Sequence, residues 1–79
     1  MTFEEFHTVL ARILRARKVR IAPELSAKDV PGWDSLRHVV VIMEINRITG
    51  LDLSPEETIS LPNIGALYNA ITDGLRRRS

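Results

Sequence analysis

The sequence predicts an all-α fold, a four-helix bundle with a long loop after the first helix and a short third helix. Three observations predict it. Apolar residues near both ends of the chain recur at three- and four-residue spacing, the period of a helix with one buried face. Thr2, Ser54 and Asn63 each stand where a helix can start, with the side-chain oxygen that an N-cap requires. The longest apolar run is followed, at helix length, by Gly50, a residue suited to end a helix. Seventy-nine residues make one small domain, enough to fold without staples but too few for a deep catalytic cavity.

Thr2 and Glu5 have the spacing of a capping box, and Glu4 and Glu5 suit a helix N-terminus. Phe3, Phe6, Leu10, Ile13 and Leu14 then share one face, with Val9 beside them, and the first helix extends to about Arg17. From Lys18 to Asp34 the pattern breaks, because Pro23 and Pro31-Gly32 interrupt any helix. The apolar loop residues Ile21, Leu25, Val30 and Trp33 are expected to cover the bundle. Trp33 suits a core anchor better than a partner contact.

The second helix runs from Ser35 to about Thr49. Its run Val39-Val40-Val41-Ile42-Met43 locally reads as a strand, but the segment continues to Gly50, and that length decides for a helix. Val41, Ile45 and Ile48, with Ile42, form the stripe expected to face the core. Leu36, Val40 and Met43 form a second stripe on another side, with Val39 between the two. Ser54-Pro55-Glu56-Glu57 starts a short third helix reaching about Ser60, with Ser54 as N-cap and Pro55 in the first position. Asn63, with Ser60 as the alternative, caps the fourth helix, whose Ile64, Leu67, Ile71 and Leu75 line one face with Tyr68 adjacent. Gly74 to Ser79 reads as a fraying basic end.

Composition excludes several functions. Cysteine is absent, so there is no disulfide framework, thiolate metal site or thiol nucleophile in the polypeptide. The net charge of +1 suits neither a strongly basic nucleic-acid binder nor an acidic tail. The cluster Arg12, Arg15, Arg17, Lys18 and Arg20 is expected to be solvated charge that complements a helix C-terminus. No apolar run approaches membrane-spanning length and no secretory signal opens the chain, which predicts a cytoplasmic protein. Two distant histidines, His7 and His38, with scattered carboxylates make no metal site. Asp34, Ser35 and His38 are the residue types of a hydrolase triad. Asp34 is badly placed to orient that histidine, however, and no oxyanion loop is visible.

The stretch Gly32-Trp33-Asp34-Ser35-Leu36 concentrates the functional signal. A serine between a loop and a helix is a good N-cap. The same place carries free amides and partial positive charge, so a phosphate attached there is stabilised. Asp34-Ser35-Leu36 and the helix that follows to Thr49-Gly50 resemble the modification motif of acyl carrier proteins and related peptidyl carrier domains. The layout of helix, long loop, Asp-Ser-Leu, helix, short element and last helix extends the resemblance almost end to end. It implies a carrier rather than an enzyme, with a four-helix bundle of the acyl-carrier-protein type. Ser35 would bear 4′-phosphopantetheine, donated by coenzyme A through a phosphopantetheinyl transferase, and the sulfur missing from the polypeptide would come from that arm. Asp34 would aid recognition by the transferase and Leu36 would contact partner enzymes. Arg37 or His38 would balance the phosphate. Cargo would be acyl groups of fatty-acid or polyketide type. The alternatives are an aminoacyl or peptidyl carrier and an unmodified helical interaction module.

An apolar stripe left over once the core is filled usually meets a partner. The resemblance implies that a loading ligase or acyltransferase, and the pathway enzymes, dock on the second helix of a monomer, at Leu36, Arg37, Val40, Met43, Glu44 and Arg47. The sequence departs from the family here. Arg37, Val40, Asn46, Arg47 and Ile48 stand where fatty-acid-synthesis carriers commonly show acidic or polar residues, and Glu44 is the only acid between Ser35 and Gly50. Partners with an apolar or mixed-charge docking surface are therefore expected.

Overall fold

Helix formation begins where the sequence placed it, at Thr2. In the computed structural model, which describes residues 1–14, 22–30 and 32–78, the Thr2 hydroxyl accepts from the Glu5 amide at 3.2 Å. The Thr2 amide in turn donates to the Glu5 carboxylate at 2.9 Å, completing the reciprocal box. Helix α1 spans Phe3–Leu14, α2 Ser35–Thr49, α3 Pro55–Thr58 and α4 Ile64–Arg78, with a 3-10 turn at Ala27–Asp29. Among the described residues there is no strand. The expected extension of α1 to Arg17, with the basic residues Arg15, Arg17, Lys18 and Arg20 and the loop residues Ile21 and Pro31, lies outside the described residues.

Phe6, Val9, Leu10 and Leu14 carry the buried face of α1. It packs on α2, where Val41, Ile42 and Ile45 are fully buried; each such side chain contributes about 1.5–3 kcal/mol by leaving water. Ile48, expected in the same stripe, is instead 46% exposed. The buried arc of α2 runs from Val41 through Ile45 and His38 to Ile42, which leaves Ile48 at its edge in the last turn. Gly50 ends the helix with φ of 76°, a left-handed conformation that favours glycine, and its amide donates to Asn46 O at 2.7 Å. Asn46 then fixes the connection that follows. Its amide group donates to Leu53 O at 3.0 Å and accepts from Leu53 N at 2.9 Å.

Ser54 caps α3, accepting from the Glu57 amide at 3.3 Å, with Pro55 in the first turn. The helix stops at Thr58 rather than Ser60. Leu61 precedes Pro62 and is pushed away from helical backbone, and the Ser60 hydroxyl satisfies Glu57 O at 2.8 Å.

Asn63 caps α4, its side chain accepting from Ala66 N at 2.8 Å. The two preceding amides are satisfied by the long loop: Ile64 N donates to Leu25 O and Gly65 N to Pro23 O, both at 2.8 Å. A β-carbon at Gly65 would stand 3.1 Å from Pro23 O, so the close approach of the loop favours glycine there. Leu25 and Trp33 are partly buried against the core and Val30 is buried within it. Ile64, Leu67 and Ile71 are buried, with Leu75 and Tyr68 packed at their margin. The Tyr68 ring meets Phe3 edge-on at 5.2 Å between centroids, and its hydroxyl donates to Met1 O at 3.2 Å. The basic end read as fraying continues helical to Arg78, helped by an Asp73–Arg77 pair at 3.1 Å across one turn.

Candidate functional site

The start of α2 departs from the simplest capping expectation. Asp34, not Ser35, is the N-cap: it is extended, with φ of −119° and ψ of −175°, and its carboxylate accepts from Arg37 N at 2.8 Å. Aspartate is as good a cap as serine and gains further from the positive end of the helix. Ser35 therefore occupies the first helical position. It is exposed, and its hydroxyl takes no part in capping.

Ser35 opens onto a groove of about 590 Å³ between the long loop and the turn after α3. Trp33, Ile59, Leu61 and Pro62 give it apolar walls, while Ser26, Lys28 and Ser60 supply polar groups. Asp29 supports the loop side, its carboxylate accepting from Ser26 N at 3.0 Å and from Ser26 Oγ at 3.1 Å. Those bonds hold the Asp29 carboxyl below the usual carboxylate range. A larger depression of about 870 Å³, lined by Phe3, His7, Pro23 and neighbours, shares no lining residue with the groove at Ser35.

His38, which the resemblance set beside the phosphate, is 3% exposed. Residue 38 follows Asp34 by one helical turn on the buried arc of α2, so its ring turns inward. Trp33 Nε1 donates to His38 Nδ1 at 3.2 Å. An indole can only donate, so Nδ1 is the acceptor and the ring proton sits on Nε2. Nε2–H then donates to Thr58 Oγ1 at 2.8 Å, and the Thr58 hydroxyl donates to Ser54 O at 2.8 Å. This chain ties the loop, α2 and α3 together around a neutral ring. Burial pushes the His38 pKa down, partly opposed by a hydrogen bond to Pro55 backbone.

With both ring nitrogens of His38 engaged by Trp33 and Thr58 and the Asp34 carboxylate on Arg37 N, these residues with Ser35 do not form a triad. Trp33 combines packing with donation to His38. Among the described residues, no group of three or more His, Asp or Glu side chains could hold a metal ion. None of the described helices is long and apolar enough to cross a membrane.

The second stripe of α2 is open: Leu36 is 73% exposed, Met43 64%, Val40 43% and Val39 39%. Glu44, at the edge of this face, receives Arg12 from α1 at 3.2 Å and both a side-chain fork and the charge of Arg47. The Arg47 hydrogen bond, with both arginine charges, holds the Glu44 carboxyl below its ordinary value. Arg37 donates to Ile13 O at 3.1 Å, placing a cation at the C-terminal end of α1.

Sequence reasoning found Asp34, Ser35, Trp33 and the open stripe but missed Thr58, Lys28 and Ile59. Thr58 is twenty residues from His38, and no local pattern marks so distant a partner. Lys28 and Ile59 become neighbours of Ser35 only through the fold. Set against models of known protein families, curated proteins and solved structures, the chain matches none of them.

Proposed function

We propose that this chain is a carrier of acyl-carrier-protein type, holding acyl intermediates as thioesters on 4′-phosphopantetheine attached to Ser35. The observation that carries the reading is the capping of α2 by Asp34, which leaves the Ser35 hydroxyl exposed at the first helical position. Support comes also from the order of elements, two long helices around a long loop, then a short helix and a long one. That is the layout of the family the motif resembles.

The residues fit a phosphodiester at Ser35. The first-turn amides of α2 point toward that end, and the helix dipole favours negative charge there. Lys28, which lines the same groove as Ser35, adds a cation. Trp33, Ile59, Leu61 and Pro62 offer an apolar bed next to the attachment point. When bound, the arm would supply the thiol that the cysteine-free chain lacks. The protein contributes a rigid platform, and tethering raises the effective concentration of cargo at each docked enzyme.

The test is the intact mass of wild type and Ser35→Ala after incubation with coenzyme A and a broad-specificity phosphopantetheinyl transferase active on a control carrier. A gain of one phosphopantetheine in wild type alone is expected. An unchanged wild-type mass overturns the reading. The exposed stripe of α2 favours a second reading, an unmodified interaction module, in which Ser35→Ala would leave partner binding intact.

A further inference from the structure

The open face of α2 is apolar along its middle and basic at its rim. Leu36, Val40 and Met43 follow one another at four- and three-residue steps and are all exposed. Arg37 lies one turn before Val40, and Arg47 one turn after Met43. Arg47 and Arg12 keep most of their side chains in water, at 70% and 62% exposure. The acid of this face is already spent: Glu44 is held by Arg12 and Arg47 together, with its side chain only 22% exposed. Arg37 uses one guanidinium nitrogen on Ile13 O and is otherwise exposed. Three arginines thus flank the stripe, against the doubly paired Glu44 within α2 and the Asp34 carboxylate at its start, which is bonded to Arg37 N.

Resting on the carrier reading, we infer that the enzymes meeting Ser35 dock on this face through an apolar patch rimmed by carboxylates. Leu36, Val40 and Met43 supply the apolar contact, and Arg12, Arg37 and Arg47 select the sign of the partner. The reason is electrostatic. A basic partner surface would meet net positive charge at the edge of a desolvated apolar contact, and like-charge juxtaposition there suppresses association. An acidic rim would be drawn to the arginines, and its approach would fall off with salt. Internal pairing of Glu44 removes the one α2 carboxylate that a basic partner could use. A protein partner is favoured over a lipid surface because Ser35 opens the same helix, so an enzyme reaching the arm covers this face. The acids of α3, Glu56 and Glu57, stand in its own first turn, where they complement that helix's positive end.

The experiment uses coenzyme A with two forms of a phosphopantetheinyl transferase: a parent whose carrier-docking surface is basic, and a variant with those Lys and Arg residues changed to Glu. Initial rates on the wild-type chain and on an acidic control carrier are compared at low and high salt. The charge-reversed transferase is expected to modify wild type about tenfold faster than the parent does, with the preference shrinking at high salt. The control carrier should show the opposite order. R37E/R47E should reverse the preference. R37Q/R47Q, which keeps polar side chains without the charge, should abolish it; helical circular dichroism checks that both variants fold.

Modification of Ser35 with a preference for the basic parent, or rates indifferent to the arginine changes, would overturn this inference while leaving the carrier reading standing. No modification by either enzyme, with the control loaded, would overturn both. Co-sedimentation with vesicles of mixed phosphatidylcholine and phosphatidylserine is expected to be absent. Binding to them that depends on Arg37 and Arg47 would assign the face to an anionic lipid surface and overturn the proposal.

Discussion

Acid should weaken this fold in a window set by His38. The ring is 3% exposed and accepts from Trp33 Nε1, so a second ring proton would aim one donor at another. That loses a hydrogen bond of about 1 kcal/mol, in addition to the cost of burying charge. Burial already pushes the native pKa below 6.5. Between the native pKa and 6.5 the unfolded chain binds a proton that the native chain does not, so stability falls as pH drops through about 6.5 and levels off once the native ring is protonated. The slope can reach about 1.4 kcal/mol per pH unit. A fall in stability between about pH 7.5 and 5 is therefore expected, its direction set by the buried ring and its indole donor.

Glu5, Asp29 and Glu44 have lowered carboxyl pKa values. Their stabilisation is present above the ordinary carboxylate range and is lost below about pH 4.5 as they protonate, so it leaves the His38 window clear. The assay is urea unfolding followed by the emission of Trp33, the only tryptophan, at steps between pH 8 and 5 for wild type and His38→Gln. The variant keeps His7, so the difference between the two curves isolates His38. Wild type should be the more stable at pH 8 and should lose much of that margin by pH 5. Parallel curves would refute the reasoning.

Two further expectations concern α2. Asp34→Ala should lose the cap and lower stability by about 0.5–2 kcal/mol, whereas Ser35→Ala should stay within about 0.5 kcal/mol. Thermal unfolding of the pair checks which residue caps the helix. Ile45→Ala should cost about 2–5 kcal/mol, against about 0.5 kcal/mol or less for half-exposed Ile48→Ala. Denaturant midpoints that rank them equally would place the core face of α2 elsewhere.

Local chemistry was legible where a few neighbouring residues decide it. The Thr2–Glu5 box, the Gly50 stop, the Ser54 and Asn63 caps and the stripe Ile64, Leu67, Ile71 each follow from contacts within one or two turns. Ile48 shows the limit. Periodicity gives a direction around a helix, but the width of the buried arc depends on what packs against it: the arc takes in His38, which the pattern did not assign to the core, and leaves Ile48 at its edge. At the candidate site, Asp34 and Ser35 were both marked, yet sequence alone could not say which of two adjacent good caps would turn its side chain back onto the helix.

The sequence by itself determined that the chain is helical, where most helices start and stop, and that α2 carries more apolar surface than one core face can use. Those properties rest on hydrogen bonds and spacings of three or four residues, which the chain carries wherever it goes. Only the tertiary structure decided that the loop is held by the N-terminal amides of α4 and that Trp33, His38 and Thr58 lock the loop, α2 and α3 around one neutral ring. It also decided that Arg12 crosses from α1 to neutralise Glu44. Apart from the Trp33–His38 bond, each of these joins groups far apart in the chain, and their meeting depends on how helices pack rather than on what stands next to them.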